Sequence, residues 1–324
     1  MSVEPATSPL AEASMLDPAY LPFLKAIGPS DPAIVPGEAS IADIRAAAAR
    51  ARLPWQRGGA TMHTIVEETI ATPEGALRMR VYYPSETRPL PTLIYFHGGG
   101  WALLDIDTHD RIMREYAAAA GWAVVGVDYP LAPEVRFPDT VPSCVSTIDA
   151  VRSRFPRLGL TAPLTLGGDS SGAHLALACA IAMRDAGLPP VDALILNYGV
   201  YDGSRAHPSH ATFSAPPFTL TGDRMAWFWD LYCPDADRRA EPLASPLHGD
   251  LAGLPPIRLV TTGLDILRDE NLAMLVRLFE AGNAVSLDHH PHAPHAFLEA
   301  LAVHPEPMRA IAQTAAWLNA VTGR

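Results

Sequence analysis

Short apolar segments alternate with longer segments of helical periodicity through most of this chain of 324 residues. Residues 93–96, 123–127, 164–166 and 193–197 are almost entirely apolar and lack the alternation of a half-exposed strand. Segments of this kind are typical of strands that are buried on both faces. Because helical patterns separate them, we predict an α/β fold with a mostly parallel central sheet and helices on both faces.

The same alternation continues to the end of the chain, with one interruption after residue 201. Before the interruption, helices are predicted at residues 108–120, 141–154 and 173–186. After it, we predict strands at residues 257–261 and 285–289 and helices at residues 269–281 and 307–321.

The interruption, residues 202–242, is rich in aromatic residues and prolines and contains a helical pattern at residues 223–232. We interpret it as an insertion that lies over the C-terminal edge of the sheet as a cap. Its boundaries divide the rest of the core into residues 61–201 and residues 243–324.

Residues 1–60 precede the sheet and form a separate N-terminal segment. Residues 1–15 are small and polar and are expected to be mobile, whereas residues 16–27 and 41–52 carry helical patterns. This helical cap segment is either a lid or an appendage packed on the core, and the pattern leaves both open. The core then begins with an antiparallel hairpin, for which we predict strands at residues 62–70 and 77–83 and a turn at residues 72–75.

Composition excludes several classes of partner. The net charge of −11 argues against nucleic acid or an anionic membrane, and no apolar run is long enough to insert into a membrane. The first residues carry neither the basic start nor the apolar segment of a signal peptide. The cysteines, Cys144, Cys179 and Cys233, are few and far apart, which favours a reduced, cytoplasmic protein over a disulfide framework.

The candidate chemistry centres on Gly168-Asp169-Ser170-Ser171-Gly172, a G-x-S-x-G sequence between a predicted strand and a predicted helix. This context is typical of a nucleophile elbow, in which a strained turn exposes the serine hydroxyl at the start of a helix. Side chains at Gly168 and Gly172 would clash with the strand and the helix. We therefore predict Ser170 as a nucleophile.

A serine nucleophile needs a histidine base and a carboxylate that orients it. Asp265 and His295 follow Ser170 in the order Ser, Asp, His, and each comes after a predicted strand, His295 across a loop at residues 291–294. Asp269 and Glu270 are rivals of Asp265, but acids are common where a helix begins. Asp128 precedes Ser170 and is expected to bind the turn that follows it.

The oxyanion of an acyl-transfer reaction needs preorganised donors. The amide of Ser171 is one candidate, and the glycines after His97 are the others: we favour Gly98 and Gly99, with Gly100 as an alternative. No metal site is predicted, because the histidines that precede His295, namely His289, His290 and His292, have no Cys or Glu neighbour in the sequence.

These motifs together resemble the hormone-sensitive-lipase branch of the α/β-hydrolases, and within it the bacterial acetyl esterases. The resemblance covers about residues 93–297. It rests on His97-Gly98-Gly99-Gly100, on Asp107 to Arg114, on Asp128-Tyr129, Leu131 to Glu134 and Arg136-Phe137-Pro138, on Gly168 to Gly172, on Asp265 with Arg268-Asp269-Glu270, and on His295-Ala296-Phe297. Four residues depart from the family's pattern: Leu104 stands at a usual Gly, Pro130 at a usual Arg or Thr, Ser171 at a usual Ala and Ile266 at a usual Pro.

The resemblance implies an N-terminal cap, short-acyl ester substrates, no cofactor and often a homodimer. The leading hypothesis is a serine carboxylesterase acting on small-molecule esters with acetyl to hexanoyl chains. The alternatives are an amidase such as an arylformamidase, which uses the same residues, and a ligand receptor on the same fold, which usually lacks the triad histidine. Candidate substrate-pocket residues are Trp101, Leu103, Leu104, Phe213 and Phe218.

Overall fold

One eight-stranded sheet organises the part of the chain that this computed structural model describes, residues 15–28, 39–72 and 75–324. The expected mobile segment 1–15, except Met15, and positions 73 and 74 of the expected turn lie outside the described residues. The strands are β1 (Thr64–Thr72), β2 (Gly75–Tyr83), β3 (Leu90–Phe96), β4 (Ala123–Val127), β5 (Leu160–Asp169), β6 (Ala193–Asn197), β7 (Ile257–Leu264) and β8 (Val285–Pro294).

The strands are ordered β1-β2-β4-β3-β5-β6-β7-β8. The β1–β2 and β2–β4 pairs are antiparallel, and all the other pairs are parallel. Strands β3, β4, β6 and β7 are buried along their whole length, as the apolar sequences of residues 93–96, 123–127 and 193–197 predict for the first three. The predicted mostly parallel α/β fold is confirmed.

Helices connect and cover these strands. They are α1 (Leu21–Ile27), α2 (Ile41–Arg52), α3 (Asp110–Ala120), α4 (Thr140–Ser153), α5 (Phe155–Leu158), α6 (Ser171–Asp185), α7 (Pro208–Thr212), α8 (Gly222–Tyr232), α9 (Arg268–Glu280) and α10 (Glu306–Val321). Short 3₁₀ turns lie at Pro18–Tyr20, Leu53–Gln56, Ala236–Ala240, Pro246–His248 and Phe297–Ala300. Within the described ranges, no helix has the length and the apolar character that crossing a membrane requires.

The strand order places the helices on both faces. The chain moves one way along the sheet from β3 to β4 and the other way from β4 to β5, so right-handed crossovers put α3 and α4 on opposite faces. Helix α10 packs against α3, whereas α6 packs against α4. All the parallel strands therefore present their carboxyl ends at one edge, where an open sheet of this kind places its site.

Several strands are longer than the sequence predicts, and β5 and β8 differ most. Strand β5 begins at Leu160 rather than at residue 164, because the backbone around Pro163 still pairs with β3 across a register shift. Strand β8 continues through residues 291–294, which we predicted as a loop, and Pro294 pairs with Leu264 of β7. The prediction of a loop was wrong. The pairing of β7 with β8 depends on backbone hydrogen bonds, which the prolines and histidines of residues 291–294 do not indicate.

The two predicted cap segments both contact the core. Arg45 of α2 donates to the carbonyl oxygens of Ala102 and Ala132 and forms an ion pair with Glu134 at 2.6 Å. From the insertion, the Ser209 amide of α7 donates to Asp269 at the start of α9. Helix α7 was not predicted. The cap boundaries themselves remain a prediction.

Candidate active site

Ser170 stands at the turn between β5 and α6 with a left-handed backbone, φ 53° and ψ −121°. A Cβ on Gly172 would lie 2.0 Å from the carbonyl oxygen of Phe96, and one on Gly168 would lie 2.5 Å from the carbonyl carbon of Gly172. Glycine is therefore required at both positions for α6 to start this close to β3. The Ser170 amide is held by the carbonyl of Asn197 on β6 at 2.9 Å, so the strained turn is fixed from the neighbouring strand.

The three residues that the sequence singled out for a triad lie in one hydrogen-bonded row. His295 Nε2 is 3.0 Å from Ser170 Oγ, and His295 Nδ1 is 2.8 Å from Asp265 Oδ2. Asp265 is buried at the end of β7, whereas His295 immediately follows β8. The parallel pairing of β7 and β8 brings these two residues together at the edge that also carries Ser170.

Asp265 is fixed by more than His295. Its Oδ2 accepts a hydrogen bond from Thr262 Oγ1 at 2.6 Å, and its Oδ1 accepts from the amide of Leu267 at 2.9 Å. The ring of Tyr198 meets the His295 ring edge-on, with centroids 5.2 Å apart. A carboxylate that accepts from His295 Nδ1–H leaves the Nε2 lone pair facing the hydroxyl of Ser170, which is the tautomer that a general base needs.

The glycine-rich loop after β3 lies beside Ser170, but not in the predicted way. The Gly98 amide donates to Asp169 Oδ1 at 3.1 Å, so it points away from any oxyanion. A Cβ at Gly98 would lie 2.4 Å from Asp169 Oδ2, which explains the glycine. The assignment of Gly98 as an oxyanion donor was therefore wrong, because spacing alone does not show which amides of a loop a neighbouring carboxylate occupies.

The other two glycines line the cavity above Ser170. Both have positive φ, 120° at Gly99 and 61° at Gly100, which favours glycine. The hydrogen bonds of the described residues include none donated by the amides of Gly99, Gly100 or Ser171. Ser171 is the first residue of α6, where an amide has no intrahelical acceptor.

A buried network behind the loop was not predicted. Asp169 Oδ1 accepts from the Tyr95 hydroxyl at 2.9 Å and lies 3.4 Å from His109 Nε2. Burial raises the pKa of Asp169, but the charge of His109 outweighs it, and the pKa is lowered. Conversely, burial lowers the pKa of His109, but the charge of Asp169 outweighs it, and the pKa is raised. These opposite shifts favour an ion pair between the two side chains, and the Gly98 amide lies 3.3 Å from the same His109 Nε2.

Glu299 lies beside this pair. Within the described residues, the ligand atoms of His109, Asp169 and Glu299 all lie within 4.8 Å of one another, as metal ligands do. Glu299, however, forms a buried ion pair with Arg52 of α2 at 2.5 Å, and Asp169 already accepts from Gly98 and Tyr95. These bonds favour an ion-pair network over a cation site.

The cavity over Ser170 has about 590 Å³ of empty space, part of it open to solvent. Leu103 and Leu104 line it, as predicted. The other residues around it include two from the N-terminal segment and five from the insertion: Ile27, Arg52, Thr219, Leu220, Arg224, Met225 and Phe228. Both predicted cap segments therefore contribute walls to the site.

Three predicted pocket residues lie elsewhere. Trp101 is fully buried, stacks on Tyr232 with ring centroids 4.2 Å apart and donates its Nε1–H to His174. Phe213 is fully buried against the ring of Phe218, and Phe218 lines a separate groove beside α1. These assignments were wrong, because an aromatic residue near the site can pack into the interior, as Trp101 does against Tyr232, or inside the cap, as Phe213 does.

The rival acids and histidines have other partners. Asp269 accepts from the Ser209 amide and Glu270 from the Tyr201 amide, so both hold the start of the insertion. Asp128 binds Arg78 and the amide of Ile106, not the turn that follows it as we expected. Of the other histidines near His295, His289 contacts Thr261, and His290 contacts both Glu306 and Asp288.

This chain is similar to several known proteins. Residues 93–299 match the model of the family described as alpha/beta hydrolase fold. The carboxylesterase NlhH of Mycobacterium tuberculosis is 33% identical over 233 residues, which cover 70% of this chain and 73% of that protein. The acetyl-hydrolase of Streptomyces hygroscopicus is 34% identical over 232 residues, which cover 72% of this chain and 76% of that protein.

A solved structure is similar to this chain over nearly its whole length. The hyperthermophilic esterase from the archaeon Pyrobaculum calidifontis superposes with a TM-score of 0.85 at 31% sequence identity. The superposition covers 93% of this chain and 97% of that chain.

Proposed function

Because this chain belongs to the alpha/beta hydrolase fold family, in its hormone-sensitive-lipase-like branch, and is a carboxylic ester hydrolase, we propose that it cleaves short-chain acyl esters through an acyl-enzyme on Ser170. The similarity to these proteins confirms the family resemblance inferred from the sequence. The observation that carries the proposal is the hydrogen-bonded row of Ser170, His295 and Asp265 beside a cavity that Gly99 and Gly100 line.

The first half of the reaction acylates the serine. Ser170 Oγ attacks the ester carbonyl carbon while His295 Nε2, 3.0 Å away, takes the hydroxyl proton. Asp265 keeps the other ring nitrogen protonated and stabilises the imidazolium that forms. Collapse of the tetrahedral intermediate transfers the proton from His295 to the leaving alkoxide. Water then repeats the sequence against the acyl group and releases the acid and free Ser170.

The negative oxygen of the tetrahedral intermediate is stabilised by backbone amides. We assign this role to Gly99, Gly100 and Ser171. Gly99 and Gly100 line the same cavity as Ser170, and Ser171 directly follows Ser170 at the positive end of the α6 dipole. The amides of all three have no acceptor among the described residues. Gly98 is not assigned this role, because its amide donates to Asp169.

The preference for short acyl chains is supported by two side chains that narrow the cavity next to the oxyanion loop. A Cβ on Gly100 would lie 2.2 Å from Phe228 Cδ1, so the Phe228 ring rests directly on this glycine. Leu104 Cγ would lie 3.0 Å from a Cβ on Gly99. We expect acetyl to hexanoyl groups to fit between them and longer chains to be excluded.

The test is hydrolysis of p-nitrophenyl acetate, butyrate, octanoate and palmitate. Turnover should fall with chain length and should drop at least about 10⁴-fold in Ser170→Ala. Ser153→Ala is the matched control, since Ser153 is exposed on α4 and its hydroxyl bonds only to Ala150. A p-nitrophenyl alkylphosphonate should label Ser170 in the wild type, as mass spectrometry of the digested protein would show.

Three outcomes would decide against the proposal. Retained esterase activity in Ser170→Ala would eliminate the assigned nucleophile. Faster hydrolysis of p-nitroacetanilide than of p-nitrophenyl acetate would move the function to amide cleavage. Binding of an ester without any turnover would move it to a receptor.

We also propose that the protein works as a homodimer in the cytoplasm. Leu272, Val276 and Phe279 share one face of α9 and are exposed, Phe279 to 76%, beside Leu287 on the edge strand β8. An apolar helix face next to an unpaired edge suits a two-fold contact with a second copy. The free, buried cysteines suit a reducing compartment.

Sedimentation equilibrium tests the dimer. The wild type and Met308→Lys, a change at an exposed residue of α10, should sediment as dimers, and Phe279→Lys as a monomer. A wild type that remains monomeric at tens of micromolar would refute this part of the proposal.

A further inference from the structure

Arg224 of α8 lines the cavity over Ser170. Among the described residues, none of the ion pairs within 4.0 Å involves Arg224. Its Nη1 contacts the carbonyl oxygens of Ile27 and Thr219 at 3.4 Å each, which are long bonds, and its guanidinium lies 5.8 Å from the Phe228 ring centroid. The described residues supply no acceptor for Nε or Nη2.

The charged side chains near Arg224 neutralise one another. Arg52, on the same cavity wall, is neutralised by Glu299, and Asp169 is neutralised by His109. Arg224 is thus the charge left unbalanced among these groups. Burial and the charge of Arg52 lower its pKa to about 10, and Glu299 only partly opposes them. The guanidinium still carries its charge at neutral pH, but at a position where an anion would be strongly favoured.

We propose that this cavity takes esters that carry a carboxylate on their acyl or alcohol part, and that Arg224 binds this carboxylate through its Nε and Nη2 edge. The inference rests on the proposed esterase function and adds the substrate class. A guanidinium offers two parallel N–H donors that match the two oxygens of a carboxylate. The remaining walls near it, Leu220, Met225 and Phe228, accommodate the apolar part of such a substrate.

A purely structural role for Arg224 makes a different prediction. Its contact with the Ile27 carbonyl joins α1 to the insertion, and its contact with the Thr219 carbonyl lies within the insertion, so Arg224 in that role would hold the cap segments together. Its loss would then lower the melting temperature and would slow charged and neutral esters alike. Binding of the substrate carboxylate requires the ratio between charged and neutral esters to change.

Two matched substrate pairs separate these roles and locate the charge. Mono-p-nitrophenyl adipate against p-nitrophenyl hexanoate places the carboxylate on the acyl part. 4-Acetoxybenzoate against phenyl acetate places it on the alcohol part. We expect the ratio of kcat/KM, charged over neutral, to fall about 10- to 100-fold in Arg224→Gln for the pair whose charge reaches Arg224. Comparing variant with wild type cancels the different intrinsic reactivity of the esters.

Two further variants complete the experiment. Arg224→Lys keeps the charge but not the fork, so it should retain part of the ratio. Arg50→Gln removes the same charge from an exposed position of α2 and should leave the ratio unchanged. Adipate and benzoate should inhibit hydrolysis of p-nitrophenyl hexanoate by the wild type competitively, and this inhibition should weaken in Arg224→Lys. The inhibition measurement needs only soluble, active protein, so it stands even if Arg224→Gln does not fold.

Three results would refute carboxylate binding by Arg224. An unchanged ratio in Arg224→Gln for both pairs, with neutral esters still hydrolysed, would refute carboxylate binding. So would equal losses on charged and neutral esters with a lowered melting temperature, or no inhibition by either anion. If the wild type hydrolyses none of the four esters, the proposed esterase function fails instead.

Discussion

The amide of Gly98 and Oδ1 of Asp169 are joined by a hydrogen bond of 3.1 Å. This bond links the loop after β3, which carries Gly99 and Gly100, to the residue directly before Ser170. The position of the oxyanion amides is thereby tied to the position of the nucleophile. Asp169 is a positioning residue in this arrangement, because it contacts the loop and not the reacting atoms.

Replacing Asp169 should therefore slow the chemical step. Asp169→Asn keeps an oxygen acceptor for Gly98 and Tyr95 but loses the charge that faces His109, so we expect kcat to fall about 10-fold. Asp169→Ala leaves buried donors without an acceptor, and we expect at least a 100-fold loss together with about 3 kcal/mol of stability. Steady-state kinetics on p-nitrophenyl butyrate and urea unfolding measure both quantities.

Tyr95→Phe is the control for this prediction, because it removes one donor to Asp169 and leaves the Gly98 bond in place. Its kcat should stay within about threefold of the wild type. A kcat near that of the wild type in Asp169→Ala would show that the loop holds its shape without Asp169.

The contrast between Ser170 and Gly98 shows which parts of the site the sequence predicts. Strand order and the glycines around Ser170 are local patterns, so the sheet edge and the row of Ser170, Asp265 and His295 could be foreseen. The direction of an individual group depends on distant neighbours. The Gly98 amide turns toward Asp169, and Trp101 turns toward Tyr232. Arg224 is a further example, since only the folded cap shows that none of the described acidic residues forms an ion pair with it.

Ser171, which replaces the family's usual alanine, should be dispensable as a hydroxyl. Its Oγ is buried and has no hydrogen-bond partner among the described residues, and the neighbouring Tyr129 hydroxyl donates to the carbonyl of His97. Only the backbone amide is assigned a role. We expect Ser171→Ala to keep kcat within about threefold and to raise the free energy of unfolding by up to about 1 kcal/mol.

Ser143→Ala provides the comparison for Ser171→Ala, because Ser143 of α4 is equally buried, also lacks a hydroxyl partner and lies away from the cavity. Chemical denaturation of both variants should give similar gains. A loss of kcat above 10-fold in Ser171→Ala alone would give the hydroxyl a part in catalysis.

Leu104 stands at another departure from the family and has φ of 70°, a conformation that favours glycine. Leu104→Gly and Leu104→Ala both remove a buried side chain and open the cavity, so both should raise the ratio of octanoate to butyrate turnover severalfold. Their stabilities should differ, because only glycine relieves the strained backbone. We expect Leu104→Gly to be about 1 kcal/mol more stable than Leu104→Ala, despite its smaller side chain.

Thermal unfolding of the two variants measures that difference, and the p-nitrophenyl series measures the chain-length preference. If Leu104→Ala is the more stable variant, the positive φ stores no strain. If neither variant accepts longer chains, Leu104 does not limit the acyl site.

His290 gives the protein a pH-dependent contribution to stability on the side of the sheet that α10 covers. Burial lowers the pKa of His290, but the carboxylates of Asp288 at 3.4 Å and Glu306 at 2.9 Å outweigh it, and the pKa is raised. A raised histidine pKa stabilises the fold fully below the unfolded value of about 6.5, and this contribution disappears as the pH rises through the folded pKa. Burial raises the pKa of Glu306, but His290 and Tyr20 outweigh it, and the pKa is lowered, so its contribution disappears as the pH falls below about 4.5.

The wild type should therefore exceed His290→Gln in stability most clearly between about pH 5 and 6.5, by about 2 kcal/mol, and the difference should shrink above and below that window. Urea unfolding across pH 4 to 9 measures it. His292→Gln is the matched control, since His292 is exposed on the same strand, and it should follow the wild type at every pH. A difference between wild type and His290→Gln that stays constant from pH 5 to 9 would mean that His290 acts through packing and not through its charge.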